Sequence, residues 1–117
     1  MVKHIVILAP QGTSILDVAG PVEVFQKAAD FIQSNTRETT SYKVHVISSN
    51  SEKLVQTSSG LPFMCEGTIS SVHYKTDTLL VAGIPNAPVN MVSADVLNWL
   101  RTQAGNVRRI GSVCAGA

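Results

Sequence analysis

Apolar residues along this chain form short runs with the composition of buried β-strands. Residues 4–9 are an almost unbroken run of apolar, mostly β-branched side chains that ends at a Pro-Gln-Gly turn. Residues 42–48 alternate and then become apolar, which predicts a second strand, and residues 78–82 form a third buried strand. Residues 107–113 are predicted to form the final strand. A strand that is apolar on both faces is typical of a parallel sheet covered by helices on both sides.

The first stretch with helical spacing lies between residues 13 and 32. Asp17 or Ser14 is a suitable cap for its start. Gly20 and Pro21 predict a first turn, a kink and then a helix proper from Pro21. The apolar positions that recur at helical spacing are Val18, Val22, Phe25, Ala29 and Ile32.

A second helix is predicted from Ser93, which caps it, to about residue 104. Its inward positions are expected to be Val96, Leu97 and Leu100. Two short strands, residues 54–57 and 61–65, flank a Ser-Ser-Gly turn and predict a hairpin at the edge of the sheet.

The order of elements is therefore strand, helix, strand, hairpin, strand, helix, strand. This alternation predicts an α/β fold with three layers, a mainly parallel sheet with helices on both faces of the flavodoxin-like kind. Ligands of such sheets bind at the carboxyl ends of the strands. The turns at residues 10–17 and 83–86, and the turn after the last strand at Cys114, are all expected at that edge.

Composition indicates one globular domain within 117 residues, because 44% of the residues are hydrophobic and 15% are charged. The formal net charge of +1 gives no electrostatic reason for this segment itself to bind nucleic acid or a membrane. No apolar run approaches the roughly 20 residues that span a bilayer. We expect a cytoplasmic protein.

The two cysteines, Cys65 and Cys114, fit a reducing compartment as free thiols, although the count alone also allows one disulfide. The spacing of cysteine and histidine does not match a metal site, and we expect neither a metal nor a cofactor. Cys114 lies among small residues after a short strand, as expected for a nucleophile at a sharp strand-to-helix turn. A helix starting just after it would favour the thiolate.

Each candidate residue also has a simpler interpretation. Cys114 could be a small buried hydrophobic residue. Asp17 could only cap the helix that follows it, and Glu23 could be a solvated carboxylate. Arg108 and Arg109 are interpreted as solvated charges or as partners of acidic neighbours rather than as nucleic-acid contacts.

Three segments together resemble the ThiJ/PfpI superfamily, which has the class I glutamine amidotransferase-like fold. They are LDVAGPVEVF (residues 16–25), LLVAG (residues 79–83) and RRIGSVCAGA (residues 108–117). Within the superfamily, the SSGLPF stretch and the double arginine resemble the N-terminal domain of AraC-family transcriptional regulators of the GlxA type. The resemblance implies that residues 1–117 are the N-terminal part of one such domain, truncated at the nucleophile elbow. We therefore expect an unpaired sheet edge and a tendency to aggregate.

The resemblance also assigns roles to particular residues. Cys114 takes the position of the elbow thiol, and Asp17 that of the acid which approaches it in isonitrile hydratases. The backbone N–H groups of Ala115 and Ile84 would be the oxyanion donors. In this family the corresponding positions often hold a threonine and a glycine, so both residues weaken a catalytic interpretation. The predicted ligand-binding set is Gly12, Asp17, Gly83, Ile84, Cys114 and Ala115.

Three functions are compatible with this resemblance. The first is the sensor and dimerisation domain of a regulator, with a small-molecule effector, a homodimer partner and DNA contacts only through a C-terminal domain absent from this chain. The second is a cysteine-dependent hydratase or hydrolase that uses Cys114 and Asp17. The third is a stress-type member with an oxidisable thiol.

Overall fold

The computed structural model describes residues 1–35, 37, 40–85 and 93–114, and a parallel sheet forms its centre. The strands are β1 (Val2–Ala9), β2 (Ser41–Ser48), β3 (Leu54–Gln56), β4 (Pro62–Met64), β5 (Gly67–Thr68), β6 (Thr76–Ala82) and β7 (Arg109–Val113). Five of them pair in the order β5-β2-β1-β6-β7, and every pair in this sheet is parallel. The predicted α/β architecture is confirmed.

Two α-helices cover opposite faces of this sheet. Helix α1 (Ile15–Asn35) packs on the face that carries Ile7 and Ala9, and α2 (Ala94–Ala104) packs on the face that carries Val6 and Leu8. Both sides of β1 are therefore buried, which explains its unbroken apolar run. Neither helix within the described ranges combines the length and hydropathy that a bilayer span needs.

The prediction that the first helix proper begins at Pro21 is wrong. Helix α1 starts at Ile15 and continues through Pro21. A proline inside a helix removes one backbone hydrogen bond. Here the buried contacts of Val18 and Ala29, on either side of Pro21, hold both parts of the helix against the sheet. Packing of the apolar face thus outweighs the local loss.

The predicted hairpin exists, but its place at the sheet edge is wrong. Strands β3 and β4 pair with each other in a separate two-stranded antiparallel sheet, while β5 occupies the edge beside β2. Val55 and Cys65 are both buried against Ile7 and Val18. The hairpin therefore packs over a face of the main sheet, because its apolar side chains gain more burial there than at an edge.

Helix α2 begins where the sequence predicts, but only part of its expected inner face is buried. Val96 is 7% exposed, whereas Leu97 is 42% exposed, so the inward assignment of Leu97 is wrong. One residue of a helix turns about 100° around the axis, which carries Leu97 away from the face that Val96 buries. Trp99 and Leu100 pack against the same core cluster as Val96.

Replacing Ser93 by alanine is expected to lower the free energy of unfolding by about 1 kcal/mol. The Ser93 side chain accepts a hydrogen bond from the backbone N–H of Val96 at 3.3 Å, and alanine leaves that N–H without this acceptor. Urea denaturation followed by circular dichroism measures the change. Ser93→Asp, which keeps an acceptor at the cap, is the control. Equal losses in both variants would contradict a capping role.

Candidate functional site

The ends of β1, β6 and β7 form the edge of the sheet where the candidate residues converge. The three strands are parallel neighbours, with Leu8 aligned with Val81 and Ala82 aligned with Val113. From β1 the chain moves to β2 on one side and later returns to β6 on the other. Such a reversal leaves a crevice at the carboxyl ends of the strands, which is where α/β sheets bind ligands.

The turn between β1 and α1 is built around Gly12. Its φ of +83° is a conformation that glycine adopts without strain, and a Cβ built there would lie 3.5 Å from Cγ2 of Ile84. The Gly12 N–H donates to the carbonyl of Gln56 at 2.7 Å. This turn therefore contacts both the residue after Gly83 and the hairpin.

Gly83 connects the turn after β6 to the start of α1. Its carbonyl accepts hydrogen bonds from Oγ1 of Thr13 at 2.8 Å and from the backbone N–H of Ser14 at 3.2 Å. Its own N–H donates to Oδ2 of Asp17 at 3.3 Å, and all the atoms of that bond are buried. Gly83 thus fixes the position of the Asp17 carboxyl group.

Asp17 and Cys114 lie beside each other, although 96 residues separate them along the chain. Asp17 is the third residue of α1 and is 6% exposed, so it does not occupy the cap position. The pKa of the Cys114 thiol is raised, first because the thiol is hydrogen-bonded to Asp17 and second because Asp17 is charged. The structure brings together the acid and the thiol that the sequence singled out.

The backbone at Cys114 has an unusual conformation. Its φ is +52°, and within the described ranges it is the one residue other than glycine with a positive φ. A non-glycine residue in this region costs roughly 1–3 kcal/mol and is held there by its surroundings. The thiol is exposed at this position, so a ligand can reach it.

The site combines an accessible thiol with a buried carboxyl group. The raised pKa of Cys114 favours its S–H form, which is a hydrogen-bond donor rather than a nucleophile. Asp17 offers the acceptor oxygens on the other side. The arrangement is suited to hydrogen bonding of a small polar molecule, and for covalent chemistry it requires Asp17 to accept or return a proton.

The remaining predicted residues are placed as follows. Ile84 is half-buried beside Gly12 and is not among the residues with positive φ. Ala115 lies outside the described residues, so its assignment stays a prediction. Glu23 is exposed on α1. The catalytic and ligand-binding roles themselves also stay predictions.

Cys65 and Cys114 are free thiols, and the disulfide that the count allowed is not formed. Cys65 is 2% exposed within the core under the hairpin. Burial is the first cause that raises the pKa of Cys65 to about 11, and the charge of Glu66 is the second. Cys65 is therefore a packing residue, while Cys114 is the accessible thiol.

Two residues of the site, Gln11 and Thr13, did not emerge from the sequence. Nε2 of Gln11 donates to the Leu54 carbonyl at 2.7 Å, and its Oε1 accepts from the Gln56 N–H at 2.9 Å. Thr13 is fully buried and bonds Gly83. The one available signal was their position as polar residues on either side of Gly12.

The two adjacent arginines are exposed, and both are hydrogen-bonded to residues of the neighbouring strand β6. Arg108 forms two hydrogen bonds to Asp77, from Nε at 2.8 Å and from Nη2 at 3.0 Å. Arg109 donates to Oγ1 of Thr78 at 3.0 Å. Pairing of Arg108 with an acidic neighbour confirms the simpler interpretation. Among the described residues, no group of three or more histidine, cysteine or acidic side chains is arranged to hold a metal.

Comparison with known protein families found a match that covers most of this chain. The model of the DJ-1/PfpI family matches residues 3–117. A protein of Streptomyces lividans, described as "Uncharacterized protein in cpoL 5'region", is 31% identical over 119 residues. That alignment covers 97% of this chain and 74% of the Streptomyces protein.

Solved structures of other proteins have the same fold as this chain. Drosophila melanogaster DJ-1beta has a TM-score of 0.77 at 19% identity, over 99% of this chain and 57% of its own. An AraC family transcriptional regulator from Pseudomonas putida has a TM-score of 0.67 at 14% identity, over 94% of this chain and 63% of its own. The chain spans about half the length of the solved structures it matches.

Proposed function

Because this chain belongs to the DJ-1/PfpI family, we propose that it is the ligand-sensing and dimerisation part of an AraC-type transcriptional regulator. In this proposal the protein is cytoplasmic and homodimeric, and a small metabolite binds between Asp17 and Cys114. DNA is bound by a C-terminal part of the protein outside these residues. Similarity to an AraC family regulator from Pseudomonas putida supports the class.

The observation that carries the proposal is the contact between Asp17 and Cys114. Hydrogen bonding to Asp17 and the charge of Asp17 raise the pKa of the thiol, which disfavours the thiolate form. An enzyme that attacks with sulfur generally lowers that pKa instead. A ligand between the two groups replaces the hydrogen bond that the thiol gives to Asp17, so the effector would be a small molecule with an N–H or O–H donor for the carboxyl group and an acceptor for the thiol.

The test uses the protein expressed from its whole gene. Native mass spectrometry is expected to detect a small molecule bound to the wild-type protein and to lose it in Asp17→Ala. Glu23→Ala is the matched control on the exposed side of α1 and is expected to keep the ligand. Gel-shift assays with DNA upstream of the gene are expected to show binding whose affinity changes with that ligand. Absence of DNA binding by the whole protein would refute the regulator.

The strained backbone at Cys114 supports a second candidate, a cysteine-dependent hydratase or hydrolase. A thiol held at a sharp turn with positive φ is typical of a nucleophile. In the hydratase case, an isonitrile and water give an N-substituted formamide, with Asp17 moving the proton. Formamide production from an alkyl isonitrile that is lost in Cys114→Ser would favour the enzyme, and its absence would leave the regulator as the better proposal.

A further inference from the structure

A second group of polar side chains lies at the edge of the sheet opposite to Cys114, where the parallel strands begin. A cleft of about 600 Å³ opens there, and its polar lining includes Lys3, His4, Lys75, Thr76, Asp77 and Arg108. We call it the amino-terminal cleft. Strand β6 begins at this cleft and ends at the Asp17 site, about 20 Å away along seven extended residues.

The sheet is irregular at the cleft. His4 aligns with Thr76 and Ile5 aligns with Thr78, so Asp77 is an extra residue that bulges from the ladder. Bulges are common next to functional sites because they redirect side chains. Arg108 donates two hydrogen bonds to the bulged Asp77. These bonds are the first cause that lowers the pKa of Asp77 to about 2. The bound carboxylate thus offsets one positive charge.

The charge that remains in the cleft is positive. Of the described residues that line it, Lys3, Lys75 and Arg108 are cationic and Asp77 is acidic. Asp77 is bonded by Arg108 and also interacts with the charge of Lys3, so the lining has three cationic side chains for one carboxylate. A concave surface of one sign concentrates oppositely charged ligands.

Two buried hydroxyl groups next to His4 lack hydrogen-bond partners. They are Oη of Tyr74 and Oγ1 of Thr76. In the described part of the chain, every other buried side-chain oxygen or nitrogen atom has a hydrogen-bond partner. Thr76 is 5% exposed and is the register partner of His4, while the Tyr74 ring centre lies 4.6 Å from that of His4. Buried polar groups are nearly always bonded. Of the two residues, Thr76 lines the cleft and Tyr74 does not, so the Thr76 hydroxyl is the one that bears on a ligand in the cleft.

His4 is also the end of a chain of hydrogen bonds. Oε2 of Glu66 lies 2.7 Å from Nδ1 of His45, and Nε2 of His45 lies 2.8 Å from Nδ1 of His4. If Glu66 accepts from a neutral His45, then Nε2 of His45 accepts from His4, and Nε2 of His4 is left as an acceptor. One proton added at Nε2 of His4 makes that atom a donor, while Nδ1 of His4 still donates to His45.

The surroundings of His4 disfavour that added proton. Burial is the first cause that lowers the pKa of His4, followed by the charges of His45 and Lys43, while Glu66 acts in the opposite direction. Lys3, Lys75, Asp77 and Arg108 line the same cleft as His4. An anion bound there would bring negative charge next to His4 and make its protonation easier.

We propose that the amino-terminal cleft binds a small oxyanion, the carboxylate or phosphate group of a metabolite, between Lys3, Lys75 and His4. Binding favours protonation of His4, so affinity rises as the pH falls. The lysines supply charge, and His4 supplies a hydrogen bond when it is protonated. This site is independent of the function proposed for Asp17 and Cys114.

Sulfate is the appropriate probe, because its charge stays constant between pH 5 and 8. Ring C–H signals of the histidines are followed by NMR during sulfate titration at constant ionic strength, at pH 5.5 and at pH 7.5. We expect the signals of His4 to shift and saturate, with the tighter affinity at pH 5.5. His73→Gln identifies the signal of the exposed histidine outside the cleft.

Lys75→Gln is expected to weaken sulfate binding about three- to fivefold, as an exposed ion pair contributes about that much. Lys27→Gln, a change of the same kind on the exposed face of α1, is expected to leave it unchanged. His4→Gln is expected to remove the preference for low pH. Shifts that never saturate, or equal affinities in the two lysine variants, would mean an adventitious ion only and would overturn the proposal. An unchanged pH preference in His4→Gln would overturn it too.

Discussion

Replacement of Asp17 by asparagine is expected to make Cys114 react faster with iodoacetamide at neutral pH. The change removes the charge that disfavours the thiolate, so the pKa of Cys114 falls and more of the reactive form is present. Asparagine keeps a carbonyl oxygen for the N–H of Gly83, so the turn that positions the side chain is retained. The difference therefore reports on the thiol and not on a collapsed site.

Alkylation rates at Cys114 across pH 6–10, measured by peptide mass spectrometry, give its pKa in both proteins. Peptide mapping separates Cys114 from Cys65, which is buried and has a pKa raised to about 11. Glu23→Gln removes the same charge from the exposed face of the same helix and is expected to leave the rate at Cys114 unchanged. A rate in Asp17→Asn that equals the wild-type rate would show that Asp17 does not control the thiol.

This experiment also bears on the choice between sensor and enzyme. If Asp17 holds the thiol protonated in the free protein, catalysis by Cys114 needs the substrate to displace that hydrogen bond before sulfur can attack. A ligand that lies between the two groups also displaces that hydrogen bond, but it does not need the thiolate. The pKa of Cys114 in the wild-type protein, compared with the ordinary value of about 8.5 for a free cysteine, separates these cases more directly than the fold does.

The strands could be predicted from the sequence because local periodicity determines them. The run at residues 4–9 is buried on both faces of β1, and the run at residues 78–82 lies inside β6. The helix-breaking preference of Gly20 and Pro21 predicted the wrong helix start, because packing of α1 on the sheet outweighs it. Local signals predict an element well when tertiary packing favours the same conformation.

Side-chain partners were harder to predict, because the register between distant strands decides them. From sequence, Asp17 at a helix start is as well explained by capping as by a site; only the position of Gly83 shows where its carboxyl group points. His4 and His45 meet because β1 and β2 pair in register over their whole length. No spacing along the chain indicates that His45 also bonds Glu66.

The largest loss of stability is expected from Leu79→Ala, about 2–5 kcal/mol in the free energy of unfolding. Leu79 is fully buried in β6 and packs within the core cluster shared with Val6 and Val96. Alanine removes apolar contact and leaves a cavity that strands paired on both sides cannot close. Because Gly83 directly follows β6, this core also carries the turn that positions Asp17.

Urea denaturation measures the loss, and the chain supplies a matched control. Leu16→Ala makes the same chemical change at a residue that is 74% exposed at the start of α1, and it is expected to alter stability by less than about 0.5 kcal/mol. Similar losses at Leu16 and Leu79 would contradict the burial pattern of the sheet. A large loss at Leu79 only would establish that the apolar run at residues 78–82 forms the covered centre from which the site is built.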